Sequence, residues 1–200
     1  MIDRRSILTG STAFGVLSLL AVASDGDLAQ AAAAHAEVLP DPATTPVPNP
    51  PFPENLSAQE LAHLKTFDEL DFDVYSNADW ARLGESHAQN IRVHYPDGHF
   101  TDGIERHIAD LSARFVWAPD TRINVHPIRV AKNELTAVTG VVQGTFTRPM
   151  PDGKGGFIPP TNKKYSINMC TVGIWNKRGV MDEEFLFSDS QTFNQQIGLS

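Results

Sequence analysis

After Pro119 the hydrophobic period of this chain changes from that of a helix to that of a strand, and it stays there almost to the end. Upstream, apolar residues recur every three or four positions. Ser57-Ala58-Gln59-Glu60 has the form of a capping box, and Leu61, Leu64, Phe67 and Leu70 follow it, so the spacing predicts a first helix reaching about Asp73. Ser76-Asn77-Ala78-Asp79 offers a cap for a short helix carrying Trp80, Leu83 and His87. Residues 90–95 alternate as an early strand, and Pro96-Asp97-Gly98 turns the chain. Asp102-Gly103-Ile104-Glu105 opens a third helix with Ile104, Ile108, Leu111 and Phe115 on one stripe. Downstream, residues 121–130, 135–146, 164–175 and 180–187 alternate with period two and read as four antiparallel strands. Helices followed by a run of strands define an α+β domain whose curved antiparallel sheet wraps against the N-terminal helices. Gly140 and Gly144 are candidate bend points, and a sheet curved in this way encloses a conical pocket.

That domain occupies residues 57–200. Residues 1–36 read instead as an export signal: Arg4-Arg5 precede a moderately apolar stretch, and an alanine-rich segment with small-residue cleavage sites follows. The paired arginines with Ser6, Ile7 and Leu8 are similar to a twin-arginine signal, which implies an exported, periplasmic or secreted protein without a membrane anchor once mature. Residues 37–56 form a proline-rich linker or arm of polyproline II character. A formal net charge of -8 speaks against a nucleic-acid surface, which needs a basic stripe. The single cysteine, Cys170, excludes an intramolecular disulfide and any cysteine-based zinc cluster.

The C-terminal stretch concentrates the chemistry. The last strand runs into Asp189, and a short helix follows it to Gly198. A carboxylate at that junction has two readings: a helix cap, or an acid/base group if an apolar cavity faces it. His94 lies on the strand face opposite Ile91, Val93 and Tyr95, and is the first choice for a partner to Asp189. His107 sits on the apolar stripe of the third helix, as a core residue or as part of a pocket wall. His126 precedes Pro127 on a strand and can face either way, whereas His87 and His63 attract no assignment. The segment His94-Tyr95-Pro96-Asp97-Gly98-His99 invites a metal reading, but its donors are separated by a turn and lack a distant third ligand, so no metal is expected. No nucleophile elbow and no phosphate-binding glycine loop occur.

The order of elements resembles the SnoaL-like polyketide cyclase, or ester cyclase, branch of the nuclear-transport-factor-2-like superfamily. So do the ending Asp189 to Gln196-Ile197-Gly198 and the stretches Ala118-Pro119-Asp120-Thr121-Arg122-Ile123, Gly144-Thr145-Phe146 and Trp175. The resemblance implies a cone-shaped α+β barrel, a homodimer through the sheet, and no metal or organic cofactor. It also implies that Asp189 serves as general acid and base in an aldol-type ring closure. Relatives support that aspartate with a histidine on the penultimate strand, where this chain has Asn168 or Cys170.

The expected function is therefore that of a cofactor-independent enzyme acting on a small to medium apolar carbonyl compound. Asp189, His94 and His107 would be its catalytic residues. Trp117, His126, Phe146, Asn168, Cys170, Phe185 and Phe187 would contact the substrate. Two alternatives stand beside it: a ligand-binding or scaffold domain, and a carboxylate-assisted hydrolase for which Glu184 is the nearest second acid.

Overall fold

The computed structural model describes residues 49–199, so the expected export signal and most of the arm lie outside the described residues. The first helix, α1 (Ala58–Glu69), begins at the capping box: Ser57 Oγ accepts from the Glu60 amide at 3.2 Å and Glu60 Oε2 from the Ser57 amide at 2.8 Å. Glu60 Oε1 also accepts from the Asn133 amide at 2.8 Å, so the cap pins the helix to a hairpin of the sheet. The amides of Ser57 and Asn133 together hold the Glu60 carboxyl down to about 2. The chain does not stop at Asp73. It continues as a π-helix over Leu70–Tyr75, a rare form that concentrates at functional sites, and then a 3-10 helix over Trp80–Glu85.

Strand β1 (His87–His94) starts three residues earlier than its sequence pattern suggests and takes His87 off the helix that the spacing predicted. After β2 (Phe100–Asp102) comes α2 (Ile104–Trp117), entered through Gly103 at φ 92, a conformation that suits glycine. The long strands β5 (Leu135–Thr145) and β8 (Lys164–Trp175) pair antiparallel along their length, and β9 (Met181–Ser188) pairs with β8. The expected strand over 121–130 is split into β3 (Arg122–Ile123) and β4 (Arg129–Lys132), both against β5. The break falls at His126-Pro127, where proline has no amide to donate and the His126 amide goes to Asn49 Oδ1 at 2.8 Å instead. A small hairpin of β6 (Met150–Pro151) and β7 (Phe157–Ile158) lies in the expected loop.

The sheet order is β2-β1-β9-β8-β5-β3. It is curved and mixed, not antiparallel throughout, because β1 lies parallel to β9 from the far end of the domain. One apolar cluster packs α1 against β1 and β5 through Leu64, Phe67, Ile91, Val93 and Val138. A second gathers Trp117, Phe146, Tyr165 and Ile197 at the other end. A Cβ on Gly144 would fall 2.6 Å from Tyr165 Oη, so glycine lets the tyrosine cross the strand to reach Thr121 Oγ1, also at 2.6 Å. Among the described residues no helix is long and apolar enough to cross a membrane.

Candidate functional site

A partly open cavity of about 200 Å³ lies between the π-helix, α2 and the inner face of the sheet. Helical spacing puts His107, Asp110, Leu111 and Arg114 on the face of α2 that lines it. Strand alternation brings Ile167, Met169 and Thr171 from β8, with Glu184 and Leu186 from β9. The π-helix supplies Leu70, Asp71 and Tyr75. The wall is mostly apolar, and His87, His107 and Glu184 meet at one place in it.

Glu184 is 3 % exposed. Its Oε2 lies 3.5 Å from His87 Nε2 and 3.4 Å from His107 Nε2, both rings being buried. Neither Glu184 Oε2 nor His87 Nε2 has a hydrogen-bond partner of good geometry. The outer nitrogens of the two rings are both engaged. Ser86 Oγ lies 2.8 Å from His87 Nδ1 and 3.2 Å from the Leu83 carbonyl. Tyr95 Oη donates to Asp110 Oδ2 at 3.0 Å and lies 3.1 Å from His107 Nδ1. Both imidazoles are therefore held at Nδ1 by a hydroxyl and turn Nε2 towards the carboxylate. Three side chains that can each give a lone pair to a cation thus converge at one buried place. Burial brings His107 down to about 4. Burial works against a charge on Glu184, but the nearness of His87 and of His107 outweighs it and holds the carboxyl below its ordinary range.

Across the cavity, Asp71 accepts from His126 Nε2 at 2.8 Å, and His126 Nδ1 meets Asp68 Oδ1 at 2.7 Å. Arg129 grips Asp68 through two bonds of 2.8 Å and holds the described end of the arm through the Pro50 carbonyl at 2.8 Å and the face of Phe52 at 4.7 Å. This network fixes the π-helix from behind.

The residues singled out in the sequence divide sharply. His107 lines the cavity, and Phe187, 53 % exposed, stands on its rim. Asp189 does not. It is exposed and caps α3 (Ser190–Ile197), accepting from the Thr192 amide at 2.9 Å and from Thr192 Oγ1 at 2.6 Å, contacts that lower its carboxyl further. His94 is on the outer sheet face, bonded to Glu183 at 2.7 Å and stacked on Phe185 at 4.2 Å, away from both Asp189 and the cavity. Asn168 and Cys170 share that outer face by alternation with Ile167, Met169 and Thr171, so neither contacts a ligand of this cavity. Trp117 and Phe146 are core residues, and His126 is fully buried behind Asp71. His99 contacts Asp97 beyond the β1 turn, while His94 pairs elsewhere.

The tail that carried the resemblance is architectural. Gln196 makes two bonds to the Ser166 backbone, at 2.7 and 3.1 Å, Ile197 is fully buried, and Gly198 closes α3 at φ 81. Asp120 likewise accepts from the Thr145 amide at 2.8 Å and from its hydroxyl at 2.7 Å, which joins two of the three other matching places.

The family model described as SnoaL-like polyketide cyclase matches residues 65–197. The chain belongs to this SnoaL-like family. A protein from Jannaschia sp. CCS1 described as a SnoaL-like polyketide cyclase is similar in structure, with a TM-score of 0.64 at 19% identity over 74% of this chain and 99% of that one. IdmH of Streptomyces antibioticus, described as a polyketide cyclase, gives 0.57 at 21% over 68% and 98%. AclR of Streptomyces galilaeus, described as a hydroxylase, gives 0.57 at 11% over 70% and 98%. At these identities the likeness shows the fold alone, helices packed with a curved mixed sheet. No curated protein matches the chain significantly.

Proposed function

We propose that this protein is an acid–base catalyst that removes and returns a proton beside a carbonyl of a small, mostly apolar ring-forming compound, with aldol-type cyclisation or isomerisation as the outcome. Glu184 takes the part that the resemblance gave to Asp189. The observation that carries this reading is the buried carboxylate between two imidazoles in the wall of a mostly apolar cavity. Glu184 takes the proton from the carbon beside the carbonyl, the enolate attacks the electrophilic carbon, and the proton returns to the oxygen formed. His107 and His87 orient the carboxylate. Arg114 lines the same cavity and offers positive charge to the developing enolate. A cavity of this size suits about one substituted six-membered ring, since cavities of roughly 150 Å³ hold benzene.

The test is deuterium exchange at the acidic carbon of cyclic β-keto esters and 1,3-diketones, followed by NMR. The protein accelerates exchange, and Glu184→Gln reduces the acceleration by about 10²- to 10⁴-fold. Ligand binding without any exchange favours the binding-domain reading instead. Asp71 in the same wall keeps carboxylate-assisted hydrolysis as a second reading, distinguished by incorporation of ¹⁸O from labelled water. We further propose export by the twin-arginine route, supported by Arg4-Arg5. A homodimer through the outer sheet face is supported by Leu135 and Ile174, which are exposed register partners there.

A further inference from the structure

Two imidazole nitrogens and a carboxylate oxygen meet in a buried space, where each can give a lone pair to one cation. We propose that His87 Nε2, His107 Nε2 and Glu184 Oε2 form a binding site for a divalent transition ion of the zinc and cobalt class, with an open coordination position towards the cavity. Three observations carry this inference.

The first is spacing. Ligand atoms about 2.0–2.1 Å from a tetrahedral ion lie about 3.3–3.4 Å apart, and the carboxylate oxygen stands 3.4 and 3.5 Å from the two ring nitrogens. All three donor atoms lie within 4.8 Å of one another, and among the described residues this is the only such group of histidine, cysteine, aspartate or glutamate side chains. The second is the outer shell. Histidines that ligate metals donate their other ring N–H to an oxygen, which fixes the tautomer. His87 Nδ1 has Ser86 Oγ at 2.8 Å to receive such a bond, and His107 Nδ1 has Tyr95 Oη at 3.1 Å, itself held by Asp110. The third is unfilled valence. Glu184 Oε2 and His87 Nε2 are buried polar atoms without a hydrogen-bond partner, a costly state for groups this deep. Two imidazoles and one carboxylate suit zinc, cobalt, nickel or iron better than calcium or magnesium, which prefer all-oxygen sites.

This place is distinct from the His94 to His99 segment, where the sequence offers no third ligand. The inference does not rest on the proton-transfer reading, because binding is seen without turnover. The two occupants exclude each other. Zinc in the site therefore inhibits the deuterium exchange proposed above, and EDTA restores it. Exchange that requires zinc would overturn the proton reading and leave the metal site standing.

The experiment is titration of the full chain, stripped with EDTA and dialysed, with Co²⁺ while visible absorption is recorded, and calorimetry with Zn²⁺ alongside. The expected result is one equivalent of cobalt and a visible d–d band. Glu184→Gln and His107→Gln each weaken binding at least 100-fold. Because a buried variant can fail to fold, circular dichroism is read on each one, and Tyr95→Phe, which keeps all three ligands, is expected to weaken binding about 10- to 100-fold. His94→Gln, on the outer face, leaves it unchanged. A folded wild-type protein that gives no band and no heat with excess ion overturns the proposal, as does a folded Glu184→Gln that binds as tightly as the wild type.

Discussion

His126 is the residue whose removal has the most predictable effect on stability. It is fully buried, lies between Asp68 and Asp71 at 2.7 and 2.8 Å, and packs against the rings of Phe67 and Phe72, with Arg129 clamping Asp68 from outside. Burial alone would lower its pKa, but the two carboxylates outweigh burial and raise it. For a histidine whose folded pKa lies above its unfolded value, the stabilisation is complete below about pH 6.5 and is lost as pH rises through the folded value. Unfolding in urea should therefore show stability falling as pH rises above 6.5. His63, whose buried ring is held below the ordinary value, acts on the acid side of that window and does not interfere. In His126→Phe the ring volume is kept but Asp71, buried and already pushed up by burial, loses its donor. Removing one partner of a buried pair costs about 3–5 kcal/mol. The variant should unfold at correspondingly lower urea near pH 6 and lose the alkaline slope of the wild type. A variant within about 1 kcal/mol of wild type at pH 6, or one with the same slope above pH 6.5, would refute this account of the network.

The tail aspartate should behave as a cap: Asp189→Ala is expected to cost about 1 kcal/mol in chemical denaturation, and Asp189→Asn no more than about 0.5 kcal/mol, because asparagine caps as well as aspartate. For export, fractionation of cells making the intact chain should find the protein outside the cytoplasm. Arg4→Lys/Arg5→Lys should trap it inside, and undisturbed export would remove the twin-arginine reading.

The architecture was readable wherever it is local. The capping box at Ser57, the change of period after Pro119 and the glycine stop at Gly198 each depend on neighbours within a turn or two, and each is where the pattern put it. Pairings between distant segments were not readable, and the parallel placement of β1 beside β9 has no local signature. That pairing also hid the site. Trp80, Leu83 and His87 are spaced like a helical stripe, so His87 looked like a helix residue until β1 drew it into the sheet. Glu184 stood out only as a second acid for hydrolysis. It is the last of three consecutive acids, Asp182-Glu183-Glu184, and period two says that neighbours alternate without saying which one faces inward. The attention paid to Asp189 came from a tail whose residues hold α3 against β8.

The most direct test of the central claim sets two variants side by side in the deuterium-exchange assay, Glu184→Gln and Asp189→Asn, with folding verified for both. If the buried carboxylate between His87 and His107 performs the chemistry, the first loses the exchange activity and the second stays within about twofold of wild type, since its cap is preserved. Loss of exchange in Asp189→Asn with activity retained in Glu184→Gln would contradict the assignment and return the acid/base role to the end of the strand.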